Sequence, residues 1–362
     1  MKRSVMAPQG MVVTPHHLAT QTAIAILREG GTAIDAMVAA AATIAVVYPH
    51  MNGIGGDGFW LIIPPHSEPL AIEACGTAGE LFNLPPPTQG AVSLALLGML
   101  DKLNIDGKNE GHFIHTAVEA TKQAFKLRDK YITDPKDMTV SNPQNLLSNG
   151  MLENMMNNIN PDVAASAGPG KGPGDTIWMG IMDNKGFSVS FIQSIYHVFG
   201  SGIVLPQTGI ILHNRGTAFV LDKDHILSLK PGKKPYHTLN PAAAKLHDGR
   251  VMVYGTRGGD GQPQTQAAIF HRYAVQGLGL QKSVSSPRWV YGRTVGDQHD
   301  QLLLEDRFSS DTVEYLKARG HTVGMLPAFS DAVGQAGALV RHPNGIMEGA
   351  GDPRSDGYAA GF

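Results

Sequence analysis

Cysteine is almost missing from this chain: Cys75 is the only one in 362 residues. A disulfide framework is excluded, and a cysteine-rich metal site is not expected. Charge of one sign is missing as well. The 29 Lys and Arg nearly balance the 31 Asp and Glu, for a formal net charge of −2. No broad field recommends nucleic acid or a membrane surface as a partner. Long hydrophobic runs are also lacking. The longest, Ala33 to Val47, contains Asp35 and is shorter than the roughly 20 residues that cross a bilayer; it reads as a buried helix. No apolar stretch follows the basic start MKRSVMAPQGMVV, so no signal peptide is read and a cytoplasmic location is expected. Hydrophobic residues are plentiful at 42%, with 17% charged. That suffices for one large domain or two ordinary ones with a sizeable core.

Two helices are read over residues 14–47, the first capped by Thr14 and stopped by Gly30-Gly31, the second ended by Pro49. A glycine loop, MNGIGGDG, leads to the short strand FWLIIPP, and a long amphipathic helix covers EGHFIHTAVEATKQAFKLRDKYITDP. PDVAASAGPGKGPG has no periodicity and reads as a flexible linker. The texture changes at Thr176. TIWMGIMD, GFSVSFIQ, GIVLPQTGIILH and RVMVYGT are β-like runs between turn signals, and helices follow near QTQAAIFHRYAVQG and DTVEYLKARG. Helices, linker, strands and helices in that order point to a layered α+β fold rather than repeated βαβ units.

Gly53-Ile54-Gly55-Gly56-Asp57-Gly58 fits G-x-G-x-x-G. A dinucleotide site needs a strand before it and a helix after; here the order is reversed, so a tight turn is preferred. His112, His115 and Glu119 share one helical face and could hold a metal. No other cluster supports one, so a structural helix is preferred and neither metal nor cofactor is expected. Thr176 opens a strand directly after the linker, which many threonines do. It also suits a nucleophile. A Thr hydroxyl needs an adjacent base, and a free α-amine on the same residue would supply one. Its pKa of roughly 7.7–8.0 leaves a useful fraction unprotonated near neutrality. A cut between Asp175 and Thr176 would create that amine.

Several stretches resemble the γ-glutamyltranspeptidase family. GMVVTPHHLATQTAIAILREGGTAIDAMVAAAATIAVVYPHMNGIGGDGFW is similar to the family's opening, and LPPPTQGAVSLALLGML to its Pro-Pro-Pro region. EATKQAFKLRDKYITDP resembles its Arg-Asp and Asp-Pro helix. GDTIWMGIMDNKGFSVSFIQSIYHVFGSGIVLPQTGIILHNRG resembles the start of its small subunit, and EGAGDPRSDGYAAGF its terminus. The resemblance implies a four-layer αββα sandwich of the N-terminal nucleophile hydrolase type. Residues 1–175 would form the large-subunit portion and 176–362 the small subunit, cleaved from each other yet associated as a heterodimer in one αββα domain. A homo-oligomer of such heterodimers is left open. By resemblance, Thr176 falls on the nucleophile, Ser194 on the threonine that hydrogen-bonds it, and Gly258 and Gly259 on the oxyanion pair. Asn214, His237 and Thr238 fall on substrate-binding positions.

There are departures. HNRGTAF puts Ala218 where the family has an acid for the substrate's α-amino group, and Arg215 at a neighbouring polar position. The family's carboxylate-binding arginine near IEACGTAG has no counterpart. Arg215 is open between a bidentate carboxylate partner and a solvated surface arginine. The implied activity is cleavage or acyl transfer of γ-glutamyl amides such as glutathione, or of other small amides with an acidic acyl chain, in the manner of cephalosporin (glutaryl) acylases. The alternatives are a non-catalytic binding protein on the same fold and a metal-dependent hydrolase built on His112 and His115. Family members also carry a long helical segment between IEACGTAG and the Pro-Pro-Pro motif. It is absent here, so a missing segment and a chain break are expected near Phe82–Asn83.

Overall fold

A computed structural model of the chain describes all residues except 1–2, 70–71, 77–78, 167–174 and 293–300. The first half runs β1 (Val5–Ala7), β2 (Gly10–Val13), α1 (His17–Arg28), α2 (Ala33–Val47), β3 (Asp57–Ile63), β4 (Ile72–Gly76), β5 (Gly79–Asn83), α3 (Gly90–Lys102), α4 (Glu110–Tyr131) and α5 (Asn149–Met156). The second runs β6 (Asp175–Asp183), β7 (Ser188–Tyr196), β8 (Ala242–Leu246), β9 (Val251–Thr256), α6 (Gly261–Phe270) and α7 (Leu280–Ser285). It continues with β10 (Trp289–Tyr291), β11 (Leu302–Glu305), α8 (Ser310–Ala318), β12 (Val323–Leu326), β13 (Ala336–Arg341), β14 (Met347–Gly351) and β15 (Ala359–Gly361).

Two sheets face each other between two helical layers, which is the expected αββα sandwich. One sheet has the order β15-β2-β6-β7-β3 and the other β1-β14-β13-β9-β8-β5-β4. Strand alternation divides the core. In β6, Ile177, Met179 and Ile181 pack with α1 and α2, while Trp178 and Met182 point between the sheets. Glycines make room for Trp178: a Cβ on Gly255 would come within 2.2 Å of its Cδ1, and one on Gly337 within 2.4 Å of its Cζ3. The third core layer joins the seven-stranded sheet to α3, α4 and α6.

Several readings shift. Thr14 is not the cap of α1; His16 is, and Thr14 Oγ1 donates to the His16 carbonyl. Helix α2 starts at a Thr32–Asp35 capping box and is not buried all round, since Val38 is 56% and Val46 74% exposed. Its apolar outer face misled a reading based on composition alone. GIVLPQTGIILH forms turns with one isolated bridge, Val204 to Ile211, instead of a strand. Phe82 and Asn83, where the sequence reading places a break, are consecutive residues of β5 and pair with Glu73 and Ile72 of β4.

The described part of the linker is pinned down, not loose. Ala165 N–H donates to Glu119 Oε2, Lys122 donates to the Ala165 carbonyl, and Ala164 N–H donates to the Arg319 carbonyl. His115 Nε2 lies 2.9 Å from the Asn160 carbonyl, which can only accept, so Nε2 carries the proton. His115 Nδ1 therefore accepts from His321 Nε2 at 2.8 Å. Burial holds both imidazoles below their ordinary pKa, and Lys122, His115 and Arg319 help push His321 down to about 3. Asn160 and Glu119 pull His115 the other way without reversing the shift. In the unfolded chain these groups protonate near pH 6.5, so below that pH the unfolded state binds more protons. Stability should fall as the pH drops from about 7 to about 5. Thermal melts over that range should show the decline, and His321→Gln, which cannot titrate, should flatten it. An equally steep decline in the variant would contradict this account.

Candidate active site

Thr176 is the second residue of β6, fully buried at a bulge between Asp175 and Ile177. Its Oγ1 donates to Ser194 Oγ at 3.2 Å, and Ser194 Oγ also accepts the Tyr196 N–H at 2.9 Å. In the uncut chain Asp175 pairs with Tyr196 across the strands. Tyr196 has φ +79°, a strained value for a residue with a side chain.

Gly258 and Gly259 form the turn into α6, with φ of +116° and +48°. Left-handed backbone of this kind favours glycine. Their carbonyls accept from Gly261 N at 2.7 Å and Gln262 N at 3.2 Å. Gln89 joins this turn to the 237–238 segment. Its Nε2 donates to the Thr238 carbonyl at 2.7 Å and to the Gly259 carbonyl at 2.9 Å, and its Oε1 accepts from Tyr236 at 3.0 Å. Its backbone N–H donates to the His237 carbonyl. Sequence reasoning missed Gln89. The available signal was a glutamine at the head of an apolar helix, where a polar residue needs buried partners.

Arg215 is not a surface residue; it is 1% exposed. Its Nε donates to Asp57 Oδ2 at 2.8 Å and its guanidinium lies 4.0 Å from the centre of the Tyr196 ring. Among the described residues Nη1 and Nη2 have no hydrogen-bond partner, and neither do Thr238 Oγ1 and His237 Nδ1. His237 Nδ1 lies 3.8 Å from Asp57 Oδ2, yet this is no ion pair. Burial, then the charge of Arg215, lowers the His237 pKa to about 3 against the pull of Asp57, so the ring is neutral. Asn214 holds the strand end by accepting the His197 N–H at 3.0 Å. Asp57, in the motif read as a turn, was not foreseen as a site residue. The turn itself is present: Gly56 N–H donates to Gly53 O, and a Cβ on Gly56 would meet Ser194 O at 2.1 Å.

A cavity of about 270 Å³ opens beside these residues, lined by Tyr196, Ala218, Thr238, Tyr236, Arg128 and Asp260 among others. Arg128 Nη1 donates to Asp260 Oδ1 at 2.7 Å.

A sequence model of the γ-glutamyltranspeptidase family matches residues 19–82 and 79–362. The chain belongs to the γ-glutamyltranspeptidase family. The oxamate amidohydrolase proenzyme of Klebsiella pneumoniae subsp. pneumoniae is 41% identical over 529 residues, with all of both chains covered. The glutathione hydrolase-like YwrD proenzyme of Bacillus subtilis is 28% identical over 529 residues, again covering both completely. A crystal structure of cephalosporin acylase from Bacillus halodurans superposes with a TM-score of 0.89 at 24% identity, covering 100% of this chain and 97% of that one, and supports the fold. As a family member the chain is a self-processing N-terminal nucleophile amidohydrolase, and both relatives are proenzymes. The two matched stretches meet at the β4–β5 hairpin, where the sequence reading finds the family's segment absent.

The predicted metal face regroups. His115 and Glu119 meet His321, their ligand atoms within 4.8 Å of one another, while His112 turns to Tyr315. Lys122 lies 2.6 Å from Glu119 Oε1, and the His115 lone pair already takes the His321 N–H, so protein partners occupy these groups.

Gln89→Leu should strip the buried Thr238 carbonyl and the Tyr236 hydroxyl of this partner and leave the Gly259 carbonyl with the Gln262 N–H alone, at about 1–3 kcal/mol for each group left unpaired. The expected result is a lower melting temperature together with slowed self-cleavage; a variant that melts and matures like the native protein would mean that Gln89 does not couple the two segments.

Proposed function

We propose that this chain cuts itself before Thr176 and that the freed Thr176 hydrolyses small amides whose acyl part carries a carboxylate. In maturation the Thr176 hydroxyl attacks the Asp175 carbonyl, the peptide shifts to an ester, and water resolves it. An α-amine appears on Thr176 and a carboxylate on Asp175. In turnover that amine takes the hydroxyl proton as Thr176 attacks the amide. The backbone N–H groups of Gly258 and Gly259 hold the oxyanion, the leaving amine receives the proton, and water hydrolyses the acyl ester. Ser194 orients the nucleophile.

The observation that carries the acyl preference is the buried Arg215, held by Asp57 and the Tyr196 ring, with Nη1 and Nη2 lacking a hydrogen-bond partner among the described residues. A buried guanidinium with free donors favours an anionic ligand. Asn214, His237 and Thr238 complete the substrate-binding set, with the Thr238 hydroxyl as a further donor. Oxamate, named in a 41% identical relative, fits this class, since its carboxylate is bonded directly to the amide carbonyl. γ-Glutamyl and glutaryl amides are longer members. For the γ-glutamyl group, Ala218 on the cavity wall gives an ammonium no carboxylate, and the wall's Asp129 and Asp260 already accept from Arg128; an ammonium without its own partner is costly to bury. The Thr176–Ser194 hydrogen bond favours an enzyme over a binding protein that has lost catalysis.

On a denaturing gel the native protein should run as two chains. Thr176→Ala should run as one and be inactive, and Thr176→Ser should mature slowly. A native protein that stays uncut and still turns over substrate fully would overturn the mechanism. Glutaryl and γ-glutamyl anilides should differ in kcat/KM by less than about tenfold, and Ala218→Asp should favour the γ-glutamyl donor. A strong native preference for γ-glutamyl, unchanged in Ala218→Asp, would place the ammonium on another residue.

A further inference from the structure

We propose that Asp57 is a positioning residue that aims Arg215 at the substrate carboxylate, making the GIGGDG turn part of the specificity machinery. This rests on the reading of Thr176 as nucleophile and Arg215 as carboxylate partner.

A guanidinium offers five N–H donors in a planar fork. Asp57 takes the Nε edge at 2.8 Å, and the Tyr196 ring covers one face at 4.0 Å. Those two contacts fix both the plane and the rotation of the group. What remains is the end-on fork of Nη1 and Nη2, the geometry that grips a carboxylate through two parallel bonds. Both atoms are buried and have no hydrogen-bond partner among the described residues, and the same is true of the buried Thr238 Oγ1. Neutral His237, which stacks edge-on against Phe59, adds no competing charge.

The clamp is tied closely to the nucleophile. Asp57 is the cross-strand partner of Ser194, and such partners have Cα atoms only about 4.5–5.5 Å apart. Tyr196 donates to the same Ser194 hydroxyl that accepts from Thr176. Arg215 is thus held by the cross-strand partner of Ser194 and by the residue two positions after Ser194 on β7. A carboxylate on its fork lies close to the carbonyl under attack, which favours short acyl groups of the oxamate type. Pairing with Asp57 also moderates the cost of burying the arginine before substrate arrives.

The test compares oxamate with its neutral isostere oxamide, and adds binding of oxalate, the dianion left when water replaces the amine of oxamate. Asp57→Asn keeps the shape and removes the charge; Asp57→Ala removes the contact. Self-cleavage into two chains and the melting temperature verify folding. Each variant should lower the oxamate-to-oxamide ratio of kcat/KM by about tenfold, mainly through KM for oxamate, and weaken oxalate binding to a similar degree. Arg215→Ala should do at least as much. An unchanged ratio and unchanged oxalate affinity in both Asp57 variants, with Arg215→Ala impaired, would overturn the positioning role alone. If Arg215→Ala also leaves oxalate affinity unchanged, or the native protein does not bind oxalate, the carboxylate reading itself fails.

Discussion

The antiparallel register of β3, β7 and β6 sets Asp57 opposite Ser194 and brings Thr176 Oγ1 within 3.2 Å of the Ser194 hydroxyl. The other site residues are placed relative to that register. A slip of one residue would turn every side chain of β7 to the opposite face and separate Ser194 from Thr176. Packing makes such a slip costly. Val189 and Phe191 would leave the helical layer, and Ile192 would leave the space between the sheets.

The second half of the site comes from the other sheet's connections and is fastened to the first by buried polar contacts. Gln89 bridges the Thr238 and Gly259 carbonyls. Asp57 draws Arg215 inward from the short helical turn Arg215–Ala218. The chain's end supports the same sheet from its far side. β15 pairs with β2, which pairs with β6. The turn before β15 is locked by Arg354, which bonds Glu305 and Asp352, and by Arg288 on Asp352. Removing one member of such a network would strand a buried charge.

Charge in this interior is balanced locally rather than globally. Asp57 offsets Arg215, Asp260 offsets Arg128, and Glu119 offsets Lys122. The histidines between them stay neutral because burial outweighs their acidic neighbours. Arg215 Nη1 and Nη2 have no hydrogen-bond partner among the described residues, whereas the cluster at His115 is closed on itself by hydrogen bonds.

The sequence by itself indicated a layered order of helices, linker, strands and helices, the β-like runs of β6 and β7, and the position of Thr176 after a glycine-proline linker. Those features are local: side-chain period, turn chemistry and motif spacing are written along the chain. It also indicated Ser194, Gly258, Gly259 and Thr238, though only by resemblance. Tertiary structure alone decided which groups Asp57, Gln89 and Arg215 contact. A lone Asp in a glycine loop, a Gln at a helix start and an Arg in a polar stretch carry no local pattern. Their roles arise from partners 158 residues away for Arg215 and 170 for Gln89, brought together only when the two sheets close.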